Sequence, residues 1–267
     1  MIKDITLGQY FPGESVLHKM DPRFKLVLTL LLLVMLFSAS NYYSLLLGAV
    51  FVTVIMIISK IPIKVMLKGL KPILPLVILT ALLNLFFVSG DAPLLAWKFI
   101  KIYPEGIRIT IFMVVRIVFL ILGTSLLTYT TSPVVLTDAL ERLMSPLKVL
   151  KFPVHELAMM MTIALRFIPT LIEETDKIMS AQKARGADID SGGLISRIKA
   201  LVPILIPLFI SSFKRAEELA LAMESRCYKG GEGRTRLKQL KAKKRDYLGS
   251  LVTLLVFGGI ITLNIIL

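Results

Sequence analysis

Long uncharged apolar segments dominate the first half of this 267-residue chain. The first extends over positions 26–59 without a charged residue, which is too long for one membrane-spanning helix at ~1.5 Å per residue. Its middle, residues 38–44, is polar and aromatic, which is typical of a tight turn at a membrane interface. The pattern therefore predicts a helical hairpin, with helices over about 22–39 and 43–59.

Three more apolar segments are long enough to cross a bilayer. They cover residues 72–89, about 106–131 and 247–267. A short basic segment precedes the first of the three and is expected to be a cytoplasmic loop, with lysines at Lys60, Lys64, Lys68 and Lys71. Aromatic residues within 90–105 predict an interfacial segment on the outer side. The chain is thus expected to be an all-α membrane protein with five spans.

The segment 132–246 combines many charges with a helical apolar repeat. Apolar residues recur at helical spacing over about 157–172 and again over 194–209, and a shorter helix is expected at 133–150. In both long helices the apolar half comes first and the charged half last. Such helices suit lying against a membrane at one end and meeting a soluble partner at the other.

These patterns predict three regions along the chain. Residues 1–131 form a membrane domain with four spans, residues 132–246 form a cytoplasmic domain of long helices, and residues 247–267 form the final span. Prolines inside the long helices are expected to bend them, and they are Pro169, Pro203 and Pro207.

Composition and charge agree with a membrane protein. The chain is 55% hydrophobic, with a mean hydropathy of +0.77 and a net charge of +14. In a membrane protein such a basic excess indicates cytoplasmic segments facing anionic lipid, so the bilayer and not nucleic acid is the expected partner. Most of the basic residues fall within 132–246. This distribution predicts a cytoplasmic N-terminus and an outer C-terminus.

Two short segments near the ends of the long helices resemble each other. They are Ala181–Gly186 and Ala222–Cys227, which lie 41 residues apart and share an arginine among small residues. Residues three apart share a helix face, so the small residues form a smooth strip beside the arginine. Such a strip lets a partner approach closely, and the guanidinium then reaches a carbonyl or carboxylate. The alternative is two ordinary helix ends with solvated arginines.

Catalytic chemistry finds no support in the sequence. There is no phosphate-binding loop with the spacing of an ATPase, so no catalytic residue and no cofactor is expected. The single cysteine excludes an internal disulfide, and two histidines are too few for a histidine-rich metal site. Arg116 falls inside a predicted span, where it is interpreted as snorkelling or bonded internally.

An ordered set of motifs resembles the transmembrane T-component of energy-coupling factor (ECF) transporters along nearly the whole chain. The motifs are Asp21-Pro22-Arg23-Phe24-Lys25, Tyr129-Thr130-Thr131-Ser132-Pro133, Phe167-Ile168-Pro169, Glu173-Glu174, Ala184-Arg185-Gly186 and Glu224-Ser225-Arg226-Cys227-Tyr228. The resemblance implies a multi-pass protein of a bacterial or archaeal cell membrane. It also implies that the chain joins two cytosolic ABC ATPases to a membrane-embedded S-component, which binds a vitamin or a metal ion.

The resemblance further implies which residues meet the ATPases. In the family, two coupling helices end in Ala-Arg-Gly motifs that dock into grooves on the ATPases. The first motif is Ala184, Arg185 and Gly186. The second position holds Ser225, Arg226 and Cys227, which departs from Ala-Arg-Gly on both sides of the arginine but keeps small residues there.

The apolar halves of the coupling helices are the expected contact for the S-component. Methionines suit a surface that accepts several shapes, and the residues concerned are Met159, Met160, Met161, Leu205, Leu208 and Phe209. On this hypothesis ATP binding closes the ATPase pair, and the two helices pass the movement to the membrane partner.

Two alternative functions remain open at this point. An autonomous channel or secondary transporter needs polar groups within its spans, and only Asn84 and Arg116 are candidates. A membrane phosphatidyltransferase is the second alternative, because the sequence Ala184–Asp190 partly resembles the aspartate motif of those enzymes. The other acidic residues of that motif are missing.

Overall fold

The computed structural model describes residues 10–89, 95–97, 100–187, 193–231 and 240–267. The helices are α1 (Pro22–Ser38), α2 (Tyr42–Ser59), α3 (Ile63–Leu70), α4 (Leu74–Phe87), α5 (Pro104–Thr130), α6 (Pro133–Leu143), α7 (Val154–Ala184), α8 (Leu194–Glu224) and α9 (Lys244–Ile266), with a 3-10 helix at Ser145–Leu150. Two three-residue strands, Leu95–Trp97 and Ile100–Ile102, form an antiparallel hairpin. The predicted all-α membrane fold is confirmed, with this small hairpin as an addition.

The described chain divides into two compact units. One consists of residues 8–139 and 239–267, which hold α1–α5 and α9, and is called the membrane unit here. The other covers residues 140–238 and holds α7 and α8. The sequence-based boundaries at 131 and 246 stay a prediction.

Helix α5 is the centre of the membrane unit, because it contacts α1, α2, α3 and α4, while α9 packs on α1 and α2. Glycines permit close approach between these helices: a Cβ at Gly123 would lie 2.7 Å from Leu32, and one at Gly48 would lie 2.8 Å from Leu36. The core residues are apolar and come from five helices and two loops: Leu32, Met35, Leu36, Ala39, Leu45, Val52, Ile61, Met66, Leu122, Leu126, Tyr129 and Ile260.

Most of the predicted spans coincide with observed helices. Among the described residues, α2, α5, α7 and α9 have the length and composition to cross a membrane, and the bent pair α3–α4 adds a fifth candidate. Helix α1 has 17 residues, which is the lower end of the range for a span. Helix α7, which the sequence placed in the cytoplasmic region, is therefore also apolar enough to span.

Three local predictions were wrong. The lysine-rich segment expected as a loop is largely the helix α3, and the following helix begins at Leu74 and not at Pro72. The helix expected at 133–150 ends at Leu143 and continues as a 3-10 helix. Proline explains the last difference, because Pro146 stands where a backbone N–H donor would be needed. The predicted interfacial segment falls partly outside the described residues.

Arg116 has an internal partner, which was one of the two interpretations of this residue. Its guanidinium donates a hydrogen bond to the carbonyl oxygen of Ala39, at the end of α1. The same guanidinium stacks 4.6 Å from the ring centroid of Phe112. Arg116 therefore ties α5 to the turn between α1 and α2.

Buried charges connect the chain segments at the other end of α1. The ammonium of Lys25 donates to the carbonyl of Thr130 at 3.0 Å and to the hydroxyl of Thr131 at 3.1 Å. Asp246 caps α9 and accepts a hydrogen bond from the backbone of Asp21 at 3.0 Å. Lys25 thus satisfies a carbonyl that the C-terminus of α5 leaves without a helical partner. Asp21 also caps α1.

Candidate functional site

The two long helices α7 and α8 form an antiparallel pair. Each has 31 residues. The side-chain amide of Gln182 donates to the carbonyl of Pro203 at 3.3 Å, whereas Tyr228, just beyond α8, lies 3.4 Å from the ring of His155. The contacting residue numbers rise in one helix as they fall in the other. The C-terminus of each helix therefore lies towards the N-terminal half of its neighbour.

An ion pair joins equivalent positions of the two helices. Arg215 of α8 donates to the carboxylate of Glu174 of α7, and the two residues are 41 positions apart. The two motif arginines, Arg185 and Arg226, have the same separation in sequence. Arg185 follows Glu174 by eleven residues, and Arg226 follows Arg215 by the same number. Because the helices are antiparallel, the two arginines lie on opposite sides of this ion pair. At ~1.5 Å per residue, they are separated by roughly 30 Å along the helix axes.

Both helices end in the same backbone structure. After α7, the N–H groups of Gly186 and Ala187 donate to the carbonyls of Lys183 and Gln182, at 3.0 Å each. After α8, Cys227 donates to Glu224 at 2.8 Å and Tyr228 donates to Met223 at 3.1 Å. This is the Schellman motif, in which one residue adopts a left-handed conformation. That residue is Gly186, with φ of +85°, in one helix and Cys227, with φ of +56°, in the other.

The two helix ends differ in the residue that takes the left-handed position. Cys227 takes this position at the end of α8, so the helix ends before Gly230 and Gly231. A non-glycine residue there costs about 1 kcal/mol through contact of its Cβ with the backbone.

All six candidate docking residues lie on the surface. They are Ala184, Arg185, Gly186, Ser225, Arg226 and Cys227. Within the described residues, neither motif arginine forms an ion pair with a carboxylate. The hydroxyl of Ser225 folds back onto the carbonyl of Ala222 at 3.0 Å, so it adds little bulk beside Arg226. Both arginines are thus exposed at the ends of rigid helices, as a docking contact requires.

The end of α8 has an anchor that the sequence did not suggest. The ring of His155 bonds to the carboxylate of Glu141 at 3.0 Å on one side and faces the hydroxyl of Tyr228 on the other. Gly231 packs so closely on His155 that a Cβ there would lie 2.5 Å from the ring. The segment that follows Arg226 is therefore held against the start of α7.

The proposed S-component contacts do not form one surface. Met160, Met161, Leu205 and Phe209 are exposed, while Met159 and Leu208 are partly buried. Because the helices are antiparallel, residues 159–161 lie on the side of the crossing where Arg226 projects. Residues 205–209 lie on the side of Arg185. The structure thus separates the six residues into two patches, each beside one motif.

Comparison with known proteins identifies the family. The chain matches the family CbiQ, described as cobalt transport protein, over residues 13–237. It is 56% identical over 257 residues to the "Energy-coupling factor transporter transmembrane protein EcfT" of Clostridium kluyveri, covering 96% of this chain and 95% of that protein. The protein of the same name from Bacillus subtilis is 46% identical over 261 residues, covering 98% of both chains. The chain belongs to the CbiQ/EcfT family.

Family membership establishes the general role of this EcfT-family chain. It is the multi-pass transmembrane component of an energy-coupling factor transporter, and it works in a complex with other subunits. The T-component resemblance and the transporter class are therefore confirmed. The partial aspartate motif falls on Asp188 and Asp190, which lie outside the described residues. Among the residues that are described, no cluster of His, Cys, Asp or Glu is suited to a metal ion.

The left-handed residue of each helix end gives a matched pair of tests. We expect Cys227→Gly to stabilise the end of α8 by ~1 kcal/mol, because glycine adopts positive φ without strain. Gly186→Ala should weaken the end of α7 by a similar amount. Amide hydrogen exchange of segments 221–228 and 180–187 measures both, with about fivefold slower and fivefold faster exchange expected. Cys227→Ala is the control; protection equal to that of Cys227→Gly would contradict the strain argument.

Proposed function

We propose that this chain is the non-catalytic coupling subunit of an ECF-type importer, joining two cytosolic ABC ATPases to a substrate-binding S-component. The observation that carries the proposal is the matched pair of arginine-ended helices. Two helices of equal length end in the same backbone structure beside an arginine, at equal distances from a shared ion pair. Such a pair presents two equivalent ends to a partner that itself has two similar subunits. ATP hydrolysis then takes place in the partners.

The coupling step uses the contact between Glu174 and Arg215. When the ATPase pair closes on ATP, the two docked ends are pulled together, and the helices turn about this contact. The exposed apolar residues of both helices pass the movement to the S-component, which takes up a vitamin or a metal ion. In the bacterial or archaeal membrane, the N-terminus is cytoplasmic and the C-terminus lies outside.

The S-component contact is proposed at the two patches defined above. The exposed apolar surface beside these charged helix ends is larger than a solvated helix presents. Because one patch adjoins each docking motif, movement of either motif reaches the patch beside it through the neighbouring helix. The two patches therefore make separable contributions to binding.

Copurification from membranes tests this proposal. The wild-type chain is expected to bring down nucleotide-binding proteins together with a small membrane protein. Met160→Asp or Leu208→Asp should each weaken retention of the membrane protein, since a carboxylate placed in an apolar contact is costly, while the ATPases stay bound. Ile195→Asp, at an exposed position outside both patches, is the control. Absence of nucleotide-binding proteins from the wild-type preparation would count against the coupling role.

An autonomous channel or secondary transporter is less well supported. The side-chain amide of Asn84 donates to the carbonyl of Thr80 at 3.0 Å within its own helix. Arg116 binds the end of α1. Both polar candidates within the spans thus bond to the fold itself, and neither has the arrangement of a transport pathway.

A further inference from the structure

Helix α3 is fixed in one orientation by its contact with α5. Met66 is 2% exposed and belongs to the core together with Tyr129. The hydroxyl of Tyr129 donates to the carbonyl of Val65 at 3.3 Å. Gly69 makes room for it, because a Cβ there would lie 2.5 Å from the same hydroxyl oxygen. These contacts decide which side of α3 faces inward.

The opposite side of α3 carries a mixed apolar and basic surface. Ile63 is 68% exposed and Leu67 is 57% exposed, one helical turn apart. Beside them lie Lys64 and Lys68 of α3, and Lys60 before the helix and Lys71 just after it complete a row of exposed lysines at intervals of three or four residues. An apolar stripe beside a basic row is typical of a helix that lies in a membrane interface.

Among the described residues, no carboxylate pairs with the lysines of this surface. No acidic residue occurs between Asp21 and Asp91 in the sequence. The surface therefore attracts an anionic partner.

The position of α3 in the chain places that partner at the bilayer. Three residues separate the helix from α2, one of the helices able to span, and the helix leads into the apolar α4 at an angle of 61°. It is therefore strongly inclined to the span that follows it. Lysines near the membrane surface contribute about fivefold each to the affinity for anionic lipid, and their stems cover apolar surface while the ammonium groups reach the headgroups.

We propose that α3 is an interfacial helix whose lysine row binds the phosphate headgroups of anionic phospholipids, while Ile63 and Leu67 insert among the acyl chains. The bound lipid holds the inclined α3 at the membrane surface. This role is separate from the docking of ATPases at the ends of α7 and α8.

Brominated lipids give a local test in the full-length chain. The sequence contains one tryptophan, Trp97, so Trp97→Phe together with Leu67→Trp provides a single indole on the exposed side of α3. The chain is reconstituted without partners into phosphatidylcholine vesicles that contain either brominated phosphatidylglycerol or brominated phosphatidylcholine. We expect the brominated phosphatidylglycerol to associate at least about fivefold more strongly than the brominated phosphatidylcholine, as judged by quenching of the tryptophan fluorescence. Raising the salt concentration should reduce the preference.

Three lysine variants in this background decide the outcome. Replacing all four lysines of the row by glutamine should bring the ratio of phosphatidylglycerol to phosphatidylcholine association to about one. Replacing all four by arginine should preserve the preference for phosphatidylglycerol. The control removes the same number of positive charges from another part of the chain and should leave the lipid preference unchanged. Its substitutions are Lys177→Gln, Lys199→Gln, Lys214→Gln and Lys229→Gln. Circular dichroism checks the fold of each variant. An undiminished preference in the glutamine variant of the row, or an equal loss in the control, overturns the proposal. So does loss of ATPase copurification without loss of lipid preference, because the row would then bind protein.

Discussion

Removing both motif arginines, with Arg185→Ala and Arg226→Ala together, is expected to abolish copurification of the ATPases and substrate uptake. Each guanidinium is exposed at the end of a helix and is proposed to become buried against an acidic or carbonyl group of a partner. Truncating one member of such a pair costs ~2–5 kcal/mol, about 30-fold or more in affinity. Because the two sites belong to one assembly, loss of one leaves the complex weakened, and loss of both separates it.

Further variants distinguish charge from shape at the same site. Arg185→Lys should recover only part of the function, since lysine keeps the charge but lacks the planar fork. Ala184→Trp should be as damaging as Arg185→Ala, because bulk beside the arginine prevents close approach. Lys177→Ala, on the same helix but before the motif, is a matched control and should retain the ATPases. Membrane expression is checked for every variant. Full uptake by the double variant would show that the motifs are ordinary helix ends.

Lys25→Ala is expected to destabilise the membrane unit by ~3 kcal/mol. The side chain is 7% exposed and holds the end of α5 against the start of α1 through Thr130 and Thr131. Its removal leaves these acceptors buried without a donor, at ~1–3 kcal/mol for each such group. It also removes a cation from the negative end of the α5 dipole. Unfolding of the purified chain by SDS in mixed micelles measures the change.

The control for this prediction is Lys19→Ala. Lys19 is exposed, and its ion pair among the described residues is with the exposed Glu14, at 3.3 Å, so its loss should change the free energy of unfolding by less than ~1 kcal/mol. An equal effect of the two substitutions would mean that the buried hydrogen bonds of Lys25 do not stabilise the membrane unit.

Sequence patterns predicted the parts of this fold that depend on local physics. The uncharged stretch before Lys60 was long enough for two helices and contained polar turn residues, and α1 and α2 follow that division within a residue or two. The long helices were recognisable because their apolar residues recur at helical spacing. The lysine segment was misread as a loop, because basic residues usually mark loops at membrane boundaries, whereas Met66 and Tyr129 pack it as a helix.

The sequence contains a signal for the packing of α7 on α8. Glu173 and Glu174 occupy the positions in α7 that Lys214 and Arg215 occupy in α8, 41 residues later. Opposite charges at equivalent positions favour contact between those positions, and two helices that meet at equivalent positions are related by a local twofold axis. Charge alone does not set the direction of the pair. The contacts of Glu174 with Arg215 and of Gln182 with Pro203, taken together, show that the helices are antiparallel.

The sequence by itself determined the membrane class, the positions of most helices and the two arginine motifs, because these follow from hydropathy, helical spacing and residue size over short stretches. Only the tertiary structure decided which distant groups meet. It paired Lys25 with the end of α5, gave Cys227 the place of a glycine, and divided the apolar residues of α7 and α8 into two patches. Such pairings depend on how helices far apart in sequence pack together, and no local pattern along the chain specifies that packing.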